Sequence, residues 1–257
     1  MRRFYLAPED WLDGQPGALT GAEAHHCRRV IRVASGDEIE VIDGIGRSAC
    51  VRVEGFTGDR VELAPLGPVQ TAVKPRPGIH LACAIAKGRN IELVIQKATE
   101  LGVDRITPVI TERTIARPVG HRQSQDKCQK WRRIALESTK QCGRRWLPEI
   151  MNPMPWDEFV AVSAGSSALH FIASLERGSL SFRDHLDAIG SGQVENTQEI
   201  VFAVGPEGDF TPQEYDAARS ADFFAVNLGE FVLRAETAAI AGLAVLVSEL
   251  RRFCPQR

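Results

Sequence analysis

Residues 199–237 read EIVFAVGPEGDFTPQEYDAARSADFFAVNLGEFVLRAET. Within this stretch Ile200–Val204 and Phe223–Leu228 are short β-branched and aromatic runs, and each stops at a glycine. Runs of this kind are buried strands that deliver loops to one edge of a sheet. The loops are Gly205-Pro206-Glu207-Gly208 and the segment from Gly229 to Leu233-Arg234. In open α/β folds ligands bind at that edge, so these two loops are the expected site. Between them, Thr211-Pro212-Gln213-Glu214 is a capping box with proline at the first helical position, and a helix starts there.

The same alternation continues upstream. Ile79–Ala86 is a buried-type strand, and Asn90 caps a helix with apolar residues at 91, 94, 95, 98 and 101 that closes at Gly102. Further strands are expected at Arg105–Thr111 and Ala168–Ala173, with helices at Asp126–Cys142 and near Ser181–Ile189. Helices alternating with short apolar strands mean an α/β domain with a mainly parallel sheet. A last helix covers about Glu236–Arg252, and its centre, Ala238–Val247, is apolar all round. One flank must pack on the sheet and the other on this chain or on a partner subunit.

Ahead of that domain, Asp37–Leu63 holds period-two runs separated by Asp43-Gly44-Ile45-Gly46 and Gly55–Asp59, the pattern of a small antiparallel sheet or barrel. Ala22–Val30 suits a short helix. Pro65–Gly78 contains four prolines and no periodicity. That linker divides the chain into domains at 1–72 and 73–257.

Composition excludes several classes. With 257 residues, 44% hydrophobic and 25% charged, the chain is of globular type. Its longest apolar run is ten residues, too short for a bilayer, and no apolar region follows Met1-Arg2-Arg3-Phe4. A cytoplasmic location is expected. Six cysteines (27, 50, 83, 128, 142, 254) form no CxxC pair, so neither a disulfide framework nor a zinc site is indicated. His25-His26-Cys27 lacks a second ligand pair and reads as structural, and no metal is expected. GxGxxG and P-loop motifs are absent, which disfavours a dehydrogenase.

The net charge of −2 conceals a strong asymmetry. Residues 74–146 hold 16 Lys/Arg against 6 Asp/Glu, whereas residues 147–233 hold 3 against 14. A basic block on a near-neutral protein points to a polyanionic partner, or else to a solvated helical face.

GPEG after a strand, then LG…LR-ET and an apolar helix, resembles the SPOUT superfamily of RNA methyltransferases. The nearer resemblance is to the family that methylates N3 of a uridine in 16S ribosomal RNA of the small subunit. Also matching, in order, are Arg3-Phe4, residues 25–32 (HHCRRVIR), Lys87-Gly88-Arg89, residues 96–103 (QKATELGV) and residues 137–144 (ESTKQCGR). Together they span nearly the whole chain.

The resemblance implies a PUA-like β-barrel, then a SPOUT domain whose C-terminal part threads a trefoil knot. It also implies a homodimer with S-adenosylmethionine in the knot. Carried over by position, Gly205, Pro206, Glu207, Gly208, Leu228 and Gly229 would line the cofactor pocket. Leu233 would close over the adenine, and Leu169-His170 would form a third wall. This sequence departs from the family at Asp209, where glycine is common, and at Glu230-Phe231, where Pro-Arg is more typical. Asp209 is expected to matter little; Glu230-Phe231 removes a positive charge beside the pocket.

Uridine N3 carries a proton at neutral pH, so methylation requires a base or an electrostatic stabiliser of the uracil anion. Arg234 and Glu236 are the candidates, the alternative for both being an ion pair or a helix-start cap. The expected RNA-docking surface combines Arg2, Arg3, Arg28, Arg29 and Arg32 with Lys87, Arg89 and the basic helix Lys127–Arg145, including Arg132, Arg133, Arg144 and Arg145. Trp131 and Trp146 interleave with those charges as stacking aromatics would, although Trp131 is in register with the core positions Ile134 and Ala135.

Overall fold

The computed structural model describes residues 1–85, 90–115 and 120–254, and divides them into two compact units. The first comprises Met1–Lys74 together with Leu136–Leu147, and the second Pro75–Ala135 with Pro148–Arg257. A single cut near residue 72 therefore misses the segment Leu136–Leu147. The reason is local: Lys140, only 5% exposed, bonds through Nζ to Glu23 Oε1 at 2.8 Å, inside the first unit.

The first unit holds β1 (Arg3–Tyr5), β2 (Trp11–Leu12), β3 (Gln15–Pro16), α1 (Gly21–His25), β4 (Glu38–Ile42), β5 (Arg47–Thr57), β6 (Arg60–Pro65) and β7 (Gln70–Thr71). Its main sheet runs β1-β4-β5-β6, with β7 also on β5; β1 is parallel to β4 and the other pairs are antiparallel. Alternate residues Ile39 and Val41 on β4, and Val51 and Val53 on β5, point into a core with Phe4, Leu19, Cys27 and Val61. The period-two runs of the sequence are these inward positions.

Immediately after α1 the chain forms a π-helical turn, His26–Val30, and Arg32 then takes a left-handed conformation with φ 58°. Lys140 Nζ lies 2.7 Å from Glu137 Oε1 and 3.5 Å from His26 Nδ1 as well as bonding Glu23. Glu23, His26 and Glu137 converge closely enough to ligate a metal. The Lys140 ammonium lies among them.

The second unit is built on a sheet of seven strands, all paired in parallel. They are β8 (Gly78–Ala84), β9 (Arg105–Ile110), β10 (Glu149–Ile150), β11 (Met154–Pro155), β12 (Leu169–Ala173), β13 (Glu199–Val204) and β14 (Phe223–Val226). The order is β10-β9-β8-β13-β12-β14, with β11 also on β9. Helices α2 (Asn90–Glu100), α3 (Gly120–Cys142), α4 (Trp156–Ser163), α5 (Phe182–Ile189), α6 (Ser191–Asn196), α7 (Pro212–Ser220) and α8 (Ala235–Leu250) link or flank these strands.

Local sequence explains most boundaries. Ser181 and Thr211 each form a complete capping box, with Asp184 and Glu214 respectively. Gly102 and Gly143 stand at positive φ just past α2 and α3. α4 and the short α6, β10 and β11 carry no periodic signal long enough to be read in advance. Beneath α4 and α7, Trp156, Phe159, Phe210, Tyr215 and Phe223 pack against Val109, Ile172 and Val201 of the sheet.

Helix α8 buries Ala239, Gly242, Leu243, Leu246 and Leu250, and packs on α2 and β13. Gly242 is required by close approach, because a Cβ there would fall 2.5 Å from Phe202 Cζ. Phe202 is itself fully buried and has no room to retreat. Gly242→Val is expected to destabilise the fold by about 1–3 kcal/mol through overpacking. Denaturant unfolding should show this as a lower midpoint with an unchanged slope.

Candidate active site

Strand β12 lies between β13 and β14, so the loops leaving all three strands gather at one edge of the sheet. There they enclose a cavity of about 260 Å³. One wall is Ala173, Ser174 and Leu175 after β12, and a second is Val204, Gly205, Pro206, Glu207 and Asp209 after β13. The third runs from Asn227 to Leu233 after β14, and Ala235 and Ala238 of α8 form the floor.

The turn after β13 is held from several sides. Asp209 N donates to Pro206 O at 2.9 Å, closing the turn. A Cβ on Gly205 would lie 3.0 Å from the Phe210 ring, so glycine lets that ring seat. Arg113 donates through Nη1 to Gly208 O at 2.6 Å and to Phe210 O at 3.3 Å. Asp209 itself adopts φ 61°. Its Oδ1 accepts from the hydroxyl of Tyr215, which is 4% exposed, at 2.8 Å, and that hydroxyl lies 3.2 Å from Ala173 O. Burial and then Asp209 raise the Tyr215 pKa, so the phenol remains a donor. In the loop after β14, Asn227 Oδ1 accepts from Gly229 N at 2.6 Å.

Six of the nine expected cofactor residues line the cavity: Gly205, Pro206, Glu207, Leu228, Gly229 and Leu233. Gly208 does not; its face is turned to Arg113, whose Cδ would lie 3.2 Å from an added Cβ. Leu169 and His170 are likewise absent from the lining, because they begin β12 and the cavity sits at its far end, three to four residues and roughly 10–13 Å along the strand. His170 instead stacks on Phe223 at 4.8 Å and contacts Ser166 Oγ at 3.1 Å, with its pKa lowered by burial. The wall expected at Leu169-His170 is formed instead by Ala173, Ser174 and Leu175. Asp209, expected to be incidental, is part of the lining and of the turn's support.

Arg234 and Glu236 flank Ala235, the first residue of α8. Arg234 is exposed and forms no ion pair among the described residues, so it is not a partner of Glu236. Glu236 Oε2 is buried and has no hydrogen-bond partner among the described residues. Glu207 and Glu236 both act on the fully buried Cys83 thiol, whose pKa burial and then these carboxylates push up to about 12. Cys83 therefore stays protonated and is no nucleophile.

The basic residues separate into paired and free groups. Arg3 bonds Glu40 at 2.6 Å and lies over Gly143, where a Cβ would meet its guanidinium at 2.8 Å. Arg2 pairs with Asp37, Arg28 bonds Gly58 O and covers Phe56, Arg132 bonds Ile150 O, and Arg145 bonds Gln70. Arg144 also has an interaction partner. Exposed Arg29, Arg32 and Arg133 form no ion pair among the described residues, and Val30 and Ile31 are exposed between the first two. Lys87 and Arg89 lie outside the described residues. Trp131 is 2% exposed and belongs to the core; Trp146 packs on Gly46, where a Cβ would fall 2.6 Å from its ring. Trp131 is therefore not free to stack on a base, whereas Trp146 is half-buried.

Comparison with known proteins follows the same division. Residues 74–247 match the family described as RNA methyltransferase domain, and residues 19–66 match the RNA methyltransferase PUA domain. A relative named ribosomal RNA small subunit methyltransferase E, from Synechocystis, is 33% identical over 94% of this chain and 76% of its own length. One of that name from Bacillus subtilis is 24% identical over 96% of both chains. Two solved structures are 31% identical, each with a TM-score of 0.83 over 96% of this chain and 97% of theirs. One is a Legionella pneumophila methyltransferase with its cofactor S-adenosylmethionine bound, the other the small subunit methyltransferase E of Neisseria gonorrhoeae bound to S-adenosylmethionine. A model that matches more than half of the chain, over the domain that holds the cavity, decides its family: this protein belongs to the RNA methyltransferases.

Proposed function

We propose that the protein methylates N3 of a uridine in 16S ribosomal RNA with S-adenosylmethionine as donor. The observation that carries this reading is the buried Oε2 of Glu236, which has no hydrogen-bond partner among the described residues and follows Ala235 of the cavity lining in the chain. A buried carboxylate oxygen without a donor is costly unless a ligand supplies one, and uridine N3–H is such a donor.

Gly205 and Gly229 in the cavity walls let backbone groups approach a bound cofactor closely. S-adenosylmethionine supplies an electrophilic methyl group there, held by the C-terminal loops in a knotted arrangement. Glu236 Oε2 accepts the N3 proton as that nitrogen attacks. Arg234 stabilises the charge that develops on the uracil oxygens. The remaining work is positioning, because in-line transfer depends on alignment of the reacting atoms.

Arg29 and Arg32 of the first unit and Arg133 of the second, none of them ion-paired among the described residues, each contact RNA, as do Lys87 and Arg89 of the basic block 74–146. The protein works as a homodimer through its second unit. Leu93 on α2 and Val245 on α8 are 41% and 47% exposed, and Phe231 and Val232 are 77% and 75% exposed, an apolar surface suited to a second copy. No helix of the described residues is long and apolar enough to cross a membrane, which accords with action on ribosomal RNA in the cytoplasm.

Glu236→Gln and Arg234→Ala should each lower single-turnover methylation by about 10²-fold or more, while calorimetric S-adenosylmethionine affinity stays within twofold. Wild-type turnover in both variants would remove them from the mechanism. Arg29→Ala and Arg32→Ala should weaken RNA binding and reduce the slope of log affinity against log salt by about one each. Val245→Glu should shift the sedimenting species from dimer to monomer.

A further inference from the structure

Three carboxylates, Glu207, Asp209 and Glu230, line the cavity, and no Lys, Arg or His does among the described residues. Asp209 is the most constrained of them. A non-glycine residue at φ 61° is held in a sparsely populated conformation, which persists only where its surroundings over-determine it. Here the Tyr215 hydroxyl fixes Oδ1 at 2.8 Å. That hydroxyl also reaches Ala173 O at 3.2 Å, tying the turn after β13 to the end of β12, which are two walls of the cavity. Asp209 Oδ2 receives no hydrogen bond among the described residues, and Asp209 belongs to the cavity lining.

We infer that Asp209, steadied by Tyr215, selects the sulfonium cofactor over its demethylated product. The inference rests on the reading of this cavity as the S-adenosylmethionine site. The two ligands share the adenosine, the ammonium and the carboxylate. They differ in the methyl group and in the positive charge on sulfur, which becomes a neutral thioether after transfer. A wall of fixed negative charge acts on the shared charged groups equally in both ligands and attracts the sulfonium charge that only one of them carries. The wall thus favours loading with fresh cofactor and release of spent product. A merely structural role for Asp209 would affect both ligands alike.

Calorimetry on the full chain with S-adenosylmethionine and S-adenosylhomocysteine separates these roles. Asp209→Asn should weaken S-adenosylmethionine binding by roughly three- to tenfold, the size of one partly screened charge pair. Its affinity for S-adenosylhomocysteine should stay within about twofold. Tyr215→Phe, which frees the carboxylate to wander, should narrow the selectivity in the same direction and by less. Equal weakening of both ligands, or no change in either, would overturn the inference while leaving the cofactor assignment standing. Failure of the wild-type chain to bind either ligand would overturn the cofactor assignment and this inference with it.

Discussion

The parallel pairing of β12 with both β13 and β14 is the constraint on which the site depends. Phe171 pairs with Phe202 on one side and with Phe224 on the other, so three consecutive strand ends are locked in one register. A slip of one residue would turn the buried side of each strand outward. Because the register is held, loops from separate parts of the chain arrive together and enclose a cavity that none could form alone. The packing behind it is tight: α8 lies on β13 with only Gly242 narrow enough to pass Phe202.

Electrostatics divides the molecule into structural and available charge. Lys140 is enclosed by Glu23, Glu137 and His26, and Arg3 is committed to Glu40. A buried ion pair whose members satisfy one another holds position and offers nothing to a ligand. By contrast Arg29, Arg32 and Arg234 are exposed without an ion pair among the described residues. The distinction matters because affinity for a polyanion comes from cations able to displace counterions, and neutralised arginines contribute little. A count of basic residues along the sequence makes no such separation.

Much of the second unit was legible in advance. The capping boxes at Ser181 and Thr211, the glycines at 102 and 143, and the apolar strands bounded by glycine are local signals, each acting within a few residues. The GPEG and LG loops could be expected to meet because strand ends in α/β sheets converge on one edge, and they line one cavity. What failed was what depended on direction or distance. Leu169 and His170 belong to the correct strand but to its wrong end. Asp209 was read as an incidental substitution, because neither its positive φ nor its bond to Tyr215, six residues on, can be seen in a string of letters. Trp146 alternates with arginines as a stacking residue would, yet Gly46, a hundred positions earlier, receives its ring.

The sequence by itself determined the alternation of strands and helices, the turn chemistry, the family and the two loops that line the cavity. These follow from hydrophobic period and from backbone preferences, both of which act over short spans. Only the tertiary structure decided which charges are spent on other charges, that Leu136–Leu147 joins the first unit, and that Glu236 keeps a buried oxygen unpaired among the described residues. Pairing and burial are set by residues brought together from distant positions, and the free energy of a charge depends on that surrounding more than on its neighbours in the chain.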